Sequence, residues 1–388
     1  MLRRFRVLLL GMLPACLSML IAMVPTAGED VGFDYRVYVG TYTGESSCGI
    51  YYFDIDVDSA MVGDPVLAAE TKNPSFLAIH PRKPVLYAVG EYSGYDGKPS
   101  GAVHAFRIEP DGSLTLLNTQ PTGGAGPCHV SVDATGRVAF VANYGGGSVA
   151  AYPVLKDGRL GAPGSVIQHE GSSVHPRQTK PHAHQIFPSP DNRIVLVPDL
   201  GLDKVLRYTF TPDGVLNRAS VPAYAIPPGS GPRHAVWNAR GDRLYVLNEL
   251  NSTVTVFAVQ PDGKATRLQH VSALPDDFDG ENTAAEIVLH PTGRFLYTSN
   301  RGHDSIAVFR VADDGRITIA GHVPSGGRTP RNIAVDPTGR LLLSANQNSD
   351  NIVLYRIDPN SGMPSPVGRE LTVGKPVCLV FRSLAGAR

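Results

Sequence analysis

The chain has no excess of either charge. Its 35 Lys and Arg residues balance 35 Asp and Glu across 388 residues, so it lacks the basic character expected of a nucleic-acid or acidic-membrane partner. Cysteine is scarce: beyond Cys16, in the N-terminal apolar stretch, only Cys48, Cys128 and Cys378 remain. An odd number, spread over different copies of the repeat described below, argues against a disulfide framework. No segment shows helical periodicity. There is no G-x-S-x-G elbow to present a nucleophilic serine, and no aspartate pattern of a calcium loop. The Gly145, Gly146, Gly147 run has no helix after it to make a phosphate loop.

Long apolar runs are also missing, with one exception. Val7 to Val24 follows Arg3, Arg4 and Arg6 and precedes Pro25-Thr-Ala-Gly28. This reads as a secretory signal over residues 1–28, cleaved near Ala27 or Gly28. Apolar sequence continuing past Cys16 argues against lipidation there. The expected product is a single exported domain over 29–388, periplasmic or extracellular, with no stable membrane insertion after cleavage.

What the chain does have is glycine and proline, 41 and 32 residues, which supply tight turns between short apolar strands. Six segments read almost in register: NPSFLAIHPRKPVLYAVGEY, GPCHVSVDATGRVAFVANYG, HAHQIFPSPDNRIVLVPDLG, GPRHAVWNARGDRLYVLNEL, TAAEIVLHPTGRFLYTSNRG and TPRNIAVDPTGRLLLSANQN. Their turn residues Lys83, Gly136, Asn192, Gly241, Gly293 and Gly339 are spaced by 53, 56, 49, 52 and 46. Strand repeats of this period indicate a propeller. A seventh copy is split: KPVCLVF near the C-terminus matches a first strand and VYVGTYT near the N-terminus a second. The predicted fold is therefore all-β, a seven-bladed β-propeller of four-stranded blades, closed by pairing of N- and C-terminal strands in one blade.

The register also predicts a site. First and second strands run antiparallel, so the residue opening one and the residue closing the other meet at the same end of the hairpin. First strands line a propeller's axis, which gathers both sets around one channel mouth. Counting back eight from the turn gives Ser75, Cys128, His184, Arg233, Ala285 and Arg331, with Val377 in the seventh copy. Counting forward gives Gly90-Glu91, Asn143-Tyr144, Asp199-Leu200, Asn248-Glu249, Asn300-Arg301 and Asn346-Gln347. The repeated asparagines suit strand caps. Glu91, Tyr144, Glu249 and Arg301 share no scaffold role, and with Arg233, Arg331 and His184 they form a ring of convergent polar groups.

His182 and His184 alternate and could offer a metal pair, yet no third ligand stands at a suitable spacing, so neither a metal nor a cofactor is expected. His129 and His234 fall one position later and should point away from the ring. A carboxylate, a histidine and several arginines suit acid–base chemistry on a small anionic substrate. Glu249 could act as a base only if desolvation outweighed its arginines; otherwise it would orient them.

PHAHQIFPSPDNR, GPRHAVWN, LNELNSTVTVF, TSNRGHDSIAVF and PVCLVF resemble the seven-bladed lactonase family, which includes propeller-type bacterial 6-phosphogluconolactonase and fungal carboxymuconate cyclase. The resemblance runs from about Tyr38 to Phe381. It implies a metal-independent lactone hydrolase, most similar to 6-phosphogluconolactonase, with His184, Arg233, Glu249 and Arg301 as catalytic groups. His182, Glu91, Tyr144, Asn248 and Arg331 are expected to contact substrate. The resemblance leaves open a carboxymuconate-type cycloisomerase, and an exported propeller that only binds a ligand or protein. The export signal sits awkwardly with an intracellular sugar phosphate as substrate. The Gly164–Pro181 segment is expected to be a cover over the mouth or an insertion.

Overall fold

The computed structural model describes residues 32–384; the expected leader over 1–28, Cys16 included, lies outside them. Among the described residues every regular element is a strand, and the strands form seven antiparallel sheets. The innermost strands are Leu77–Ile79, Pro127–Val132, Phe187–Pro188, Pro232–Trp237, Thr283–Leu289, Pro330–Val335 and Pro376–Ser383. Each neighbours the next blade around a closed ring. Blades are numbered here from the one that begins at Leu77. Blade seven takes Pro376–Ser383 as its first strand and Tyr35–Thr41 as its second, paired from Tyr35 opposite Ser383 to Thr41 opposite Pro376.

Strand alternation explains the packing. Each sheet is apolar on both faces, and seven hydrophobic clusters fill the seven gaps between neighbouring blades. Polar latches reinforce these gaps. Tyr38, Tyr87, Tyr245 and Tyr297 occupy equivalent second-strand positions, and their side chains are fully buried. Each hydroxyl donates to a turn-glycine carbonyl of the following blade: Gly112 at 2.9 Å, Gly158 at 2.9 Å, Gly315 at 3.0 Å and Gly362 at 2.8 Å. A buried hydroxyl must find a partner, and the ring of the same residue fills the gap.

The hairpin turns follow from their chemistry. In blade six Asp336 accepts from the backbone N–H groups of Thr338, Arg340 and Leu341, and Gly339 takes a left-handed φ of 79°. A Cβ at Gly339 would lie 2.6 Å from the His290 ring, whose Nε2 approaches the Gly339 carbonyl at 2.8 Å. Asn192 replaces glycine in blade three at φ 58°, a conformation that asparagine tolerates.

One regular irregularity overturns part of the sequence reading. In blade four Pro232 pairs with Asn248 but His234 with Leu247, so Arg233 is an extra residue. Cys128, Arg331 and Val377 bulge likewise, while in blade five Ala285 and Glu286 together face one partner position. Proline precedes four of these bulges; it lacks the N–H that a regular ladder would use there. A bulge re-aims the following side chain. His234 therefore does not point away from the ring as expected: it lines the same small space as Arg233, and His129 lies 5.6 Å from it, ring to ring. For the same reason Glu286, and not Ala285, is blade five's contribution to that space. Blade three has only a bridge between Ala183 and Asp199 before its short first strand, so His182 and His184 do not sit on a regular strand.

Tyr297→Phe should keep the ring's packing but strand the Gly362 carbonyl. The expected cost is about 1–2 kcal/mol, read as a thermal midpoint lower by a few degrees, with the circular dichroism of the folded state unchanged.

Candidate active site

The site is assembled at the end of the channel where first strands open and second strands close. Glu249 sits at its centre and is only 4% exposed. Its Oε1 accepts from Arg177 Nη2 at 2.7 Å; its Oε2 lies 3.1 Å from Arg233 Nε and 3.1 Å from Arg301 Nη2. Burial alone would push this carboxyl up, but Arg301, Arg233 and Arg177 together outweigh it and hold it at about 2. Two of these arginines are also anchored to blade five. Arg233 Nη1 donates to the Ala285 carbonyl, and Arg301 donates to Thr283 O at 3.3 Å and Ala284 O at 2.9 Å.

A second chain of contacts crosses the ring closure. Glu91 Oε2 accepts from Ser75 Oγ at 2.5 Å and from Tyr42 Oη at 2.8 Å, and Arg331 Nη2 donates to the same Tyr42 oxygen at 3.0 Å. Among the described residues no carboxylate lies within ion-pair distance of Arg331, and its guanidinium stacks over the Tyr42 ring at 5.3 Å. This is a cation with donor capacity to spare.

His184 is 4% exposed. Burial, reinforced by the charges of Arg233, His234 and Arg331, pushes it far below the ordinary imidazole value, so it is neutral. Its Nδ1 lies 3.8 Å from Cys128 Sγ, a thiol that burial keeps protonated. No described residue hydrogen-bonds its Nε2. Tyr144 packs its ring 5.4 Å from His184 and stacks on His182 at 4.5 Å. His182 Nδ1 bonds the Tyr144 carbonyl at 2.9 Å, so this imidazole positions the Tyr144 loop. Among the described residues no three His, Cys, Asp or Glu side chains are grouped to hold a metal.

Below the ring, side chains fill the channel. Glu286 joins His234 Nδ1 at 2.8 Å to Asn332 Nδ2 at 2.7 Å. Burial pushes the Glu286 carboxyl up, but His234 and Arg233 outweigh it. The space left among Ser75, Glu91, Cys128, Arg233, Glu286 and Arg331 is about 10 Å³, enough for one water molecule at most. A ligand must therefore bind above this layer.

Of the sequence-predicted residues, His184, Arg233, Glu249, Arg301, Arg331, Glu91, Tyr144 and His182 all come together at this mouth. Asn248 does not reach it. It is fully buried and its amide donates to Thr253 and Thr255 hydroxyls at 2.9 Å each, so it ties the second strand of blade four to the third and does not contact substrate as expected. Three participants were missed. Arg177 comes from the Gly164–Pro181 segment, which opens with blade two's outer strand, Ser165–Gln168, and continues as a strap that delivers the side chain to Glu249; the sequence marks the segment as a cover or an insertion but singles out no residue in it. Tyr42 occupies in blade seven the position of Glu91, Glu249 and Arg301, and extending the count to the split copy would have found it. Glu286 was hidden by the bulge.

The family described as Lactonase, 7-bladed beta-propeller matches residues 36–381. A 6-phosphogluconolactonase of Bacillus subtilis is 39% identical over 300 residues, covering 76% of this chain and 84% of that protein. The structure of the Pseudomonas aeruginosa periplasmic gluconolactonase superposes with a TM-score of 0.84 at 37% identity, covering 89% of this chain and 98% of that one. A Lactobacillus plantarum protein gives a TM-score of 0.84 at 34% identity, over 90% of this chain and 99% of its own.

Because Glu249 is ionised in the fold down to about pH 2, its contribution to stability should be complete above its ordinary value of 4.5. It should be lost as pH falls through the folded value. Glu249→Gln is expected to cost on the order of 3 kcal/mol near neutral pH. In urea denaturation the gap between wild type and variant should narrow steadily from pH 5 to pH 3.

Proposed function

Since the chain belongs to the seven-bladed β-propeller lactonase family, we propose that it hydrolyses a sugar lactone at this channel mouth, without a metal, using arginines to stabilise the oxyanion and His184 to move the proton. Family membership makes the chain a lactonase; the residue roles and the substrate are the proposal. The observation that supports it best is the convergence of Arg233, Arg301 and Arg331 on a mouth that also holds a neutral, unpartnered imidazole nitrogen.

The arginines supply the positive charge that an oxyanion needs, already fixed in place by Glu249 and backbone carbonyls. A water molecule attacks the lactone carbonyl carbon and passes a proton to His184 Nε2 as the carbonyl oxygen becomes an oxyanion. Collapse breaks the bond to the ring oxygen, which takes that proton back, leaving a hydroxy acid. His184 is a weak base in the empty site because it is buried and because the charges of Arg233, His234 and Arg331 oppose its proton. A bound anion and the growing oxyanion offset those charges and raise its proton affinity when it is needed. Glu249, held at about 2 with both oxygens engaged, is the group that orients the arginines. The likeness to a periplasmic gluconolactonase supports an exported chain acting on an extracytoplasmic lactone.

Acid release from 6-phosphoglucono- and glucono-lactone, followed by pH-stat on purified protein, tests the reading. The wild-type rate should survive EDTA, and His184→Gln should fall about 10²–10⁴-fold. Undiminished hydrolysis by His184→Gln would remove its proposed role. Absence of turnover by folded wild-type protein on either lactone would point to a binding propeller.

A further inference from the structure

Of the three guanidiniums on Glu249, two are built in and one is not. Arg233 and Arg301 are 3% and 12% exposed at their side chains, whereas Arg177 is 43% exposed. Arg177 uses a single nitrogen, Nη2, for both of its contacts, Glu249 Oε1 at 2.7 Å and Tyr144 Oη at 3.0 Å. Its Nε and Nη1 donate to no described residue. Unlike its neighbours it has no backbone carbonyl to anchor it.

The backbone that carries Arg177 is held firmly. Ser173 Oγ donates to Asp203 Oδ2 at 2.6 Å, and Asp203 also accepts from the backbone of Gly229 and Gly231 at 2.7 Å each. Ser173 N reaches Gln178 O at 2.9 Å, His175 N reaches Gln178 Oε1 at 2.9 Å, and Gln178 Nε2 reaches Leu200 O at 2.7 Å. The backbone of this turn is thus fixed, and its tip is the Arg177 guanidinium, held through Nη2 alone. Beside that tip opens a cleft of about 680 Å³, lined by His175, Arg177, Leu250, Asn282, Thr283 and Arg301 among others. Its one carboxylate, Glu281, faces solvent. The volume falls in the range of small-molecule sites, and two guanidiniums border it.

We propose that Arg177 selects the substrate: it exchanges Glu249 for the anionic tail of a lactone seated in this cleft, so the enzyme takes lactones that carry a phosphate or carboxylate away from the reacting carbonyl. The proposal rests on the lactonase reading above. A guanidinium fork meets either anion in two-point geometry, and two of the three donor nitrogens of Arg177, Nε and Nη1, are uncommitted. The exchange has a second effect. It frees Oε1 of Glu249, which can then accept a hydrogen bond from the attacking water, while Arg233 and Arg301 keep Oε2. Recognition of the tail and completion of the site become one event.

The test compares wild type, Arg177→Gln and Arg177→Lys on 6-phosphoglucono-lactone and on neutral glucono-lactone. It adds calorimetric titration of the stable products 6-phosphogluconate and gluconate. Wild type should prefer the phosphorylated lactone. In Arg177→Gln the ratio of kcat/KM for the phosphorylated over the neutral lactone should fall about 10–100-fold, the range expected for a charge-assisted hydrogen bond. The lysine variant should fall between, retaining charge without the fork. An equal loss on both lactones, or a wild-type preference for the neutral one, would overturn the assignment and leave Arg177 a structural support of Glu249. The titrations separate this from failure of the lactonase reading. A chain that hydrolyses neither lactone but binds 6-phosphogluconate, and loses that affinity in Arg177→Gln, would keep the anion site while discarding the chemistry. Equal affinity in both proteins, or none in wild type, would overturn it.

Discussion

The pairing of Tyr35–Thr41 with Pro376–Ser383 does more than join the two ends of the chain. A propeller is a sheet array bent into a circle, and until the last gap is filled, blades six and one each expose an apolar face. Closure buries both faces and sets Tyr42, at the end of the closing strand, between Arg331 of blade six and Glu91 of blade one. The seam of the ring is therefore part of the site. An opened ring would lose its fold stability and Arg331's partner Tyr42 together, since both depend on one strand pair.

Within the ring the electrostatics are arranged around Glu249. Four arginines at one mouth would repel each other strongly in a low-dielectric setting. One buried carboxylate, bonded to three of them, makes their convergence tolerable and fixes their forks. The cost of that arrangement is basicity, because a carboxyl held at about 2 is poorly suited to take a proton from water. Base and anchor are both open roles for Glu249 in the sequence; its low carboxyl value and three arginine contacts support the anchoring role proposed above. The neutral imidazole of His184 lies close to the same charges but is bonded to none of them, which is why the proton transfer is proposed for it.

Much of this was legible in the linear chain because a propeller repeats its errors and its rules alike. Turn residues at regular spacing locate the blades, and the same spacing brings Arg233, Glu249 and Arg301 to one mouth. What a fixed count cannot detect is an added residue in one strand. The bulges at Cys128, Arg233 and Arg331 turned His129 and His234 inward against expectation, and at blade five they replaced Ala285 with Glu286. The sequence does mark these places: GPCH, GPRH, TPRN and KPVC each carry a proline just before the extra residue. Arg177 was illegible for a different reason. It lies in the connection that follows blade two's outer strand, outside the first- and second-strand positions that the repeat count addresses, and the hydrogen bonds of Ser173, His175 and Gln178 give it a place.

The direction of the closing strand has a practical consequence. Tyr35–Thr41 runs toward the mouth, ending at Tyr42, while its partner runs away from it and ends at Ser383, opposite Tyr35. Both exits of the ring are therefore on the far side from the reacting groups. A carrier protein, an affinity handle or a solid support joined at either residue would attach to the propeller on the side opposite the arginine mouth.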